Sequence, residues 1–168
     1  MLRPRGEWHR DVILKFTAMP TVDLLLRLLL ATALGAAIGL EREFRQKPAG
    51  LRTNILIALG SASLTMASIE IGRAGATPDR IAAQVVTGIG FLGGGAILRS
   101  GENVHGMTTA ATIWVNAAIG LAAGAGLFAM ATITAAITLV VLALLPPLEN
   151  YFERRAGIDG NRHRDRSP

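Results

Sequence analysis

The longest apolar stretch of this chain runs from Met107 to Leu145 and contains no charged residue. A helix needs about 20 apolar residues to cross the hydrocarbon core of a membrane, because that core is about 30 Å thick. The stretch is therefore too long for one crossing and long enough for two. Small residues at Gly124–Gly126 favour a tight break within it. We predict two membrane helices here, at about 108–123 and 127–145.

Three more apolar segments precede this stretch, and loops rich in charged or turn-forming residues separate them. They predict further membrane helices at about 21–40, 53–71 and 79–98. The predicted fold is therefore all-α, a polytopic membrane helix bundle with about five transmembrane helices in one domain over residues 21–148. The flanking segments 1–20 and 149–168 are predicted to be basic tails. Pro146–Pro147 is expected to end the last helix.

The composition supports a membrane protein and narrows its chemistry. Apolar residues make up 51% of the chain, and there are 19 glycines, which let membrane helices approach closely. The absence of cysteine excludes disulfides, thiolate metal sites and cysteine nucleophiles. The net charge of +5 comes from residues that flank the apolar runs. This placement predicts contact with a lipid bilayer and no nucleic acid, and the bias of Lys and Arg among the loops predicts a cytoplasmic C-terminus.

A glycine-rich run contains the pattern Gly88-x-Gly90-x-x-Gly93, which matches the dinucleotide-binding fingerprint. That fingerprint also needs a preceding strand and an acidic residue about 20 positions later, and the sequence offers neither. We interpret these glycines instead as space for neighbouring membrane helices. The residues predicted to serve helix packing are Gly35, Gly39, Gly88, Gly90, Gly93, Gly94, Gly120 and Gly124.

Polar residues near the ends of the predicted helices are the candidates for function. Asp23 and Arg27 lie one helical turn apart at the outer end of the first helix, so they can pair. Most of the others are predicted to form a polar cluster at the inner ends of the helices. An alternative that stays open is that these side chains only anchor the bundle at the membrane surface. The candidates are Arg27, Glu41, Arg42, Arg52, Thr53, Asp79, Arg99, Thr108, Thr109 and Trp114.

Three classes of function compete at this point. Few charges within the membrane helices and glycine-lined faces favour a regulator that binds other membrane proteins and forms a homo-oligomer. The alternative is a transporter or channel for Mg²⁺ or another cation, although its candidate carboxylates divide between the two membrane faces. Those carboxylates are Glu41, Glu43, Glu70, Asp79 and Glu102. We expect no enzyme, because the chain has neither a metal-binding histidine pair nor a Gly-x-Ser-x-Gly motif, and we expect no cofactor.

Several motifs follow one another in a specific order along the chain. The densest are Gly88–Gly93 with Gly95–Ile97, and Gly106–Trp114. The others are Arg27–Leu28, Gly35–Gly39, Glu41–Arg42, Ala49–Thr53, Gly60–Ser61, Asp79–Arg80, Ala83–Val86 and Ala117–Gly126. Together they resemble the MgtC/SapB family of bacterial inner-membrane proteins over about Leu24–Leu145. Gly94 and Met107 are small departures, since the family often has alanine and leucine there.

The resemblance implies a membrane protein connected with growth in low magnesium and with survival inside host cells. The family was first viewed as magnesium transporters. The resemblance now implies a regulator of other membrane proteins, including the F-type ATP synthase. Longer family members carry a soluble domain after the last membrane helix. Here the resemblance implies a short form that ends in an arginine-rich tail.

Overall fold

A computed structural model describes residues 19–73, 80–101 and 103–155, and these ranges contain five helices and one β-hairpin. The hairpin pairs β1 (Leu98–Ser100) with β2 (Asn103–His105) in antiparallel register. The helices are α1 (Thr21–Phe44), α2 (Leu51–Arg73), α3 (Arg80–Gly95), α4 (Met107–Gly124) and α5 (Phe128–Arg155). The predicted all-α membrane bundle is confirmed. Most of the two predicted basic tails lies outside the described residues.

The described helices differ from the predicted spans mainly at three ends, those of α1, α3 and α5. The first helix continues past residue 40 to Phe44, because Glu41 pairs with Arg45 one turn away and supports a further turn. The third helix stops at Gly95, before the predicted residue 98, because three consecutive glycines strongly disfavour helix. Leu98 lies in the hairpin instead of in the helix.

α2 lies at the centre of the bundle, between α1 and α4. α1 packs on it in antiparallel direction, with Gly39 beside Leu51 and Gly35 beside Ala58. α4 packs on it in parallel direction, with one constant offset of 62 residues between partners. The three pairs that show this offset are Asn54 with Asn116, Ala58 with Gly120, and Ala62 with Gly124.

The parallel pairing of α2 and α4 fixes the number of crossings. Four of the described helices, α1, α2, α4 and α5, are long and apolar enough to span a membrane. α3 has only 16 residues and is about 24 Å long, which is short for a crossing. Because α2 and α4 start at the same face of the bundle, the chain between them must return across it. α3 makes that return, so the helices cross five times.

α5 continues through both of its prolines, so the prediction that Pro146–Pro147 would end it is wrong. Pro147 has no N–H, which leaves the carbonyl of Ala143, four residues earlier, without its helical donor. Arg45 Nη2, at the end of α1, donates to that carbonyl at 3.1 Å. A side chain from another helix thus replaces one of the hydrogen bonds that the prolines remove.

This replacement predicts that Arg45 and Pro147 are energetically coupled. Arg45→Ala leaves the Ala143 carbonyl unpaired and is expected to lower the free energy of unfolding by about 1 kcal/mol. In a Pro147→Ala background the new N–H supplies the missing donor, so the same change should cost less. Thermal unfolding of the four variants in detergent measures the coupling, and the Arg45–Glu41 pair cancels because it is lost in both backgrounds. Additive effects would contradict the proposed role of Arg45.

Candidate functional site

The end of α1 carries a charged group of three residues, Glu41, Arg42 and Arg45, which we call the Glu41 cluster. Glu41 Oε1 pairs with Arg45 Nε, and Glu41 Oε2 lies 3.5 Å from Arg42 Nη1. Arg42 is only 3% exposed, and its Nε has no hydrogen-bond partner among the described residues. Glu41 is therefore the counter-charge of a buried guanidinium, which is costly to leave unpaired.

The neighbouring carboxylate, Glu43, closes the turn between α1 and α2. Its Oε2 accepts the backbone N–H of Leu51, the first residue of α2, at 3.0 Å. A carboxylate is favourable there because a helix N-terminus carries unpaired N–H groups and partial positive charge. A Cβ at Gly50 would overlap with this carboxylate, so a larger residue there would require the Glu43 side chain to move.

Two fully buried asparagines, Asn54 of α2 and Asn116 of α4, form what we call the asparagine pair. Asn54 Nδ2 donates to the carbonyls of Ala49 and Gly50, at 2.8 and 2.9 Å. Asn116 Nδ2 donates to the backbone oxygen of Asn54 at 2.6 Å and to its Oδ1 at 3.2 Å. A slip of α4 along α2 would leave these amides unpaired in an apolar interior, so the pair holds the two helices in register.

Arg27 lies at the opposite face of the bundle from the Glu41 cluster. Its Nη2 pairs with Asp23 Oδ2 at 2.8 Å, and its Nη1 donates to the carbonyl of Gly124 at 2.7 Å. Gly124 ends α4, where carbonyls lack helical donors and positive charge is favourable. Gly126 follows with φ of 80°, and a Cβ there would lie 3.0 Å from Arg27 Nη2. Arg27 therefore joins α1 to the turn between α4 and α5.

The structure brings together only part of the predicted inner cluster. Glu41 and Arg42 are in contact, but Arg52 and Thr53 are exposed at the start of α2. Neither makes a side-chain hydrogen bond or ion pair within the described part of the chain. Arg99 Nε donates to the carbonyl of Gly101 inside the hairpin, at 3.1 Å, and does not join the cluster.

The candidates on α4 face in different directions, because successive residues of a helix turn by about 100°. Thr109 is buried, whereas Thr108 is exposed and its carbonyl accepts the hydroxyl of Thr112 at 2.7 Å. Trp114 is 50% exposed and points out of the bundle. Asp79 lies outside the described residues.

The predicted packing glycines divide into two groups. A Cβ at Gly35, Gly39, Gly120 or Gly124 would approach a neighbouring helix within 3.0 Å, so these four permit close backbone contact. Gly93 is looser, since its Cβ would lie 3.6 Å from the carbonyl of Ala110. A Cβ at Gly88, Gly90 or Gly94 would meet nothing within 4 Å. No contact among the described residues supports the packing role predicted for those three, so that role stays a prediction.

Three residues of these sites are absent from the predicted candidates: Arg45, Asn54 and Asn116. Glu43 was predicted only as a possible cation ligand. The asparagines could have been selected as isolated amides in apolar runs, because polar side chains inside a membrane usually face protein. Arg45 could have been selected as the partner of Glu41 one turn away. The contact of Glu43 with Leu51 depends on the shape of the turn, which no local pattern indicates.

An open apolar groove of about 950 Å³ runs between α2 and α3, and we call it the α2–α3 groove. α4 forms its floor with Thr109 and Ile113. Leu56 and Leu64 lie on the α2 wall, and Phe91 lies on the α3 wall. Arg52 and Thr53 stand at one end of it.

The chain matches the sequence pattern of the MgtC family over residues 28–151. This match covers most of the chain and contains the Glu41 cluster, the asparagine pair and the groove. The chain belongs to the MgtC family. The predicted family is thereby confirmed.

Individual relatives from the MgtC family agree with this assignment. Protein MgtC of Salmonella typhimurium (strain 14028s / SGSC 2262) is 50% identical over 118 residues, which cover 70% of this chain and 49% of that protein. Protein MgtC of Brucella abortus (strain 2308) is 47% identical over 126 residues, covering 75% and 52%. The candidate magnesium transporter YhiD of Escherichia coli (strain K12) is 42% identical over 154 residues, covering 84% and 72%. No solved structure matches the chain.

The matched region spans about half the length of the MgtC proteins and nearly three quarters of YhiD. The shared part is the helix bundle, since the family match begins in α1 and ends in α5. The chain is therefore a membrane protein of the MgtC family. For this chain, any activity of the longer relatives is a proposal.

Proposed function

We propose that the chain is a multi-pass protein of the bacterial inner membrane that supports adaptation to low magnesium by acting on protein partners. In this proposal it does not itself conduct Mg²⁺, its C-terminus is cytoplasmic and it forms a homo-oligomer. One observation carries the choice of a regulator over a carrier. The acidic side chains at the ends of α1 are already engaged by the protein.

Magnesium is held through one or two carboxylates while it keeps several of its waters. Asp23 is paired with Arg27, Glu41 with two arginines, and Glu43 with the N-terminus of α2. Over the described ranges, no group of three or more acidic or histidine side chains is placed to hold a metal ion. An ion that used these carboxylates would first have to break their existing contacts.

The outer surface of the bundle supports the part of the proposal that concerns partners. Gly90 and Gly94 lie one turn apart on α3, are exposed, and leave space for the backbone of another helix. The indole of Trp114 is half exposed and makes no hydrogen bond within the described residues. Aromatic side chains of this kind often anchor protein contacts.

Transport of Mg²⁺ is the second candidate, and the name of YhiD favours it. The two functions differ in a direct assay. Purified protein in liposomes that enclose a Mg²⁺-sensitive dye is expected to give no uptake above that of empty liposomes. Saturable Mg²⁺ uptake by the wild-type protein would overturn the regulator proposal.

The regulator proposal also makes a prediction for cells. Gly90→Leu is expected to remove growth in low magnesium while the amount of protein in the membrane stays normal, because it blocks an outer contact face. Ala136→Leu is the matched control, since it enlarges a small exposed residue on α5 and should leave growth unchanged. If both variants grew as well as wild type in low magnesium, this would count against a partner on this face of α3.

A further inference from the structure

The α2–α3 groove has one charged residue at one end and apolar walls beyond it. Arg52 is the only charged side chain among the described residues that line it, and Thr53 stands beside it. Leu56 and Leu64 of α2 and Phe91 of α3 are exposed to the groove and to the space outside the bundle. In a bilayer such a surface is covered by apolar groups, because water has no access there.

Glycines from both walls give the groove its depth. Gly60 lies on the α2 wall, and Gly88 and Gly95 lie on the α3 wall. A Cβ at any of the three would meet nothing within 4 Å. Contacts among the described residues therefore do not require glycine at these positions, and glycine in a helix interior costs about 1 kcal/mol relative to alanine. The space that they leave fits a ligand better than it fits the packing of this bundle.

The length of the groove selects the kind of ligand. Arg52 and Leu64, its limits on α2, are 12 residues apart, which corresponds to about 18 Å at a helical rise of about 1.5 Å per residue. One leaflet of the hydrocarbon core is about 15 Å deep, half of the full thickness. A partner helix that crosses the membrane would need a groove about twice as long. A lipid chain that enters from one leaflet fits the length that is present.

The polar end of the groove fits a phosphate. Arg52 makes no hydrogen bond or ion pair within the described residues, so its guanidinium is available. A guanidinium binds phosphate oxygens through two parallel N–H groups, and the Thr53 hydroxyl beside it can donate a further hydrogen bond. No carboxylate lines the groove among the described residues, so an anionic headgroup meets no repulsion there.

We propose that the α2–α3 groove binds one anionic phospholipid, with an acyl chain along Leu56 and Phe91 and the phosphate at Arg52 and Thr53. The apolar walls supply affinity for the chain, and Arg52 supplies the preference for an anionic headgroup. This proposal does not depend on whether the protein regulates partners or conducts Mg²⁺. It assigns to Gly60 and Gly88 the role of keeping the chain site open.

Native mass spectrometry of the purified full chain tests the proposal with two lipids of identical acyl chains, phosphatidylglycerol and phosphatidylcholine. Wild type is expected to retain one phosphatidylglycerol in preference to phosphatidylcholine. Arg52→Gln should weaken the retention of phosphatidylglycerol about tenfold, as the loss of a charge-assisted hydrogen bond implies. Arg52→Lys should keep much of the preference. Arg52 is exposed, so these variants are expected to fold.

Filling the groove gives an independent test of the chain site. Gly60→Leu or Gly88→Leu should abolish retention, whereas Gly94→Leu is the matched control outside the groove and should retain the lipid. Circular dichroism confirms that each variant is folded, and if one glycine variant fails to fold, the other and Arg52→Gln still decide. Equal retention of both lipids, unaffected by Arg52→Gln, would overturn the proposal in favour of ordinary surrounding lipid.

A protein occupant is the remaining outcome that would overturn the lipid site. Because the chain has no cysteine, Leu56→Cys introduces a unique thiol on the groove wall. The proposal expects this thiol to form no disulfide-linked dimer when native membranes are treated with an oxidant. Efficient dimer formation through Leu56→Cys would show that a second copy of the chain covers the groove.

Discussion

Gly120→Ala is expected to destabilise the protein by about 3 kcal/mol, although it adds only one methyl group. The new Cβ would lie 2.9 Å from Ala58 Cα and 2.9 Å from Ser61 Cβ, and closer still to the carbonyl oxygen of Ala58. The backbone of α2 cannot yield to this Cβ without being pushed into α1, which packs closely on it at Gly35 and Gly39. The cost therefore lies at the upper end of the range for overpacking in a well-packed core.

Gly94→Ala is the matched control, and it is expected to raise the stability of the protein instead of lowering it. A Cβ at Gly94 meets nothing within 4 Å, so alanine adds helix propensity of up to about 1 kcal/mol without a clash. Thermal unfolding of both variants in detergent, followed by circular dichroism, measures the difference. If Gly120→Ala proved as stable as Gly94→Ala, the close contact of α2 with α4 would be wrong.

Glu41→Gln is expected to have a comparably large effect, because it removes the counter-charge of Arg42. The Arg42 side chain is 3% exposed, and Glu41 is the partner that faces its Nη1. Removing one member of a buried ion pair costs about 3 kcal/mol or more, since the remaining charge stays desolvated. Arg45 contributes little to this cost, because its side chain is 36% exposed and can be hydrated.

A second substitution separates this electrostatic cost from a functional role of Glu41. Glu41→Gln with Arg42→Met removes both charges and keeps an apolar side chain of similar length, so it should recover most of the lost stability. The measurements are the thermal midpoint in detergent and the amount of protein in the membrane. A double variant less stable than Glu41→Gln alone would show that Arg42 has another essential partner.

The sequence predicted the helices well because membrane crossings are encoded locally. An apolar run of about 20 residues is sufficient to identify a span, and the first residues of α1 and α4 were placed within one residue. The continuation of α5 through Pro147 was missed because the compensating donor, Arg45, lies 98 residues away along the chain from the acceptor, Ala143. The rule that proline ends a helix considers only the helix itself.

The candidate site was predicted less completely for the same physical reason. Arg27 and Glu41 lie near opposite ends of α1. The sequence already predicted that their side chains would not be in contact. What it could not indicate is that Arg27 contacts Gly124, 97 residues later. The glycine-rich run of α3 was predicted to serve helix packing. Only the structure distinguishes glycines that permit close contact between helices from glycines that leave space open.

The parallel pairing of α2 with α4 has a consequence for how the protein is made. Helices enter the membrane in the order of synthesis, so α1 and α2 can pair as an antiparallel hairpin before α4 exists. The face of α2 that carries Ala58 and Ala62 then stays uncovered until α4, whose contacting residues lie 62 positions further along the chain, has been synthesised. Assembly intermediates that lack α4 therefore expose the centre of the bundle. They are the forms of this protein that membrane quality control is expected to recognise.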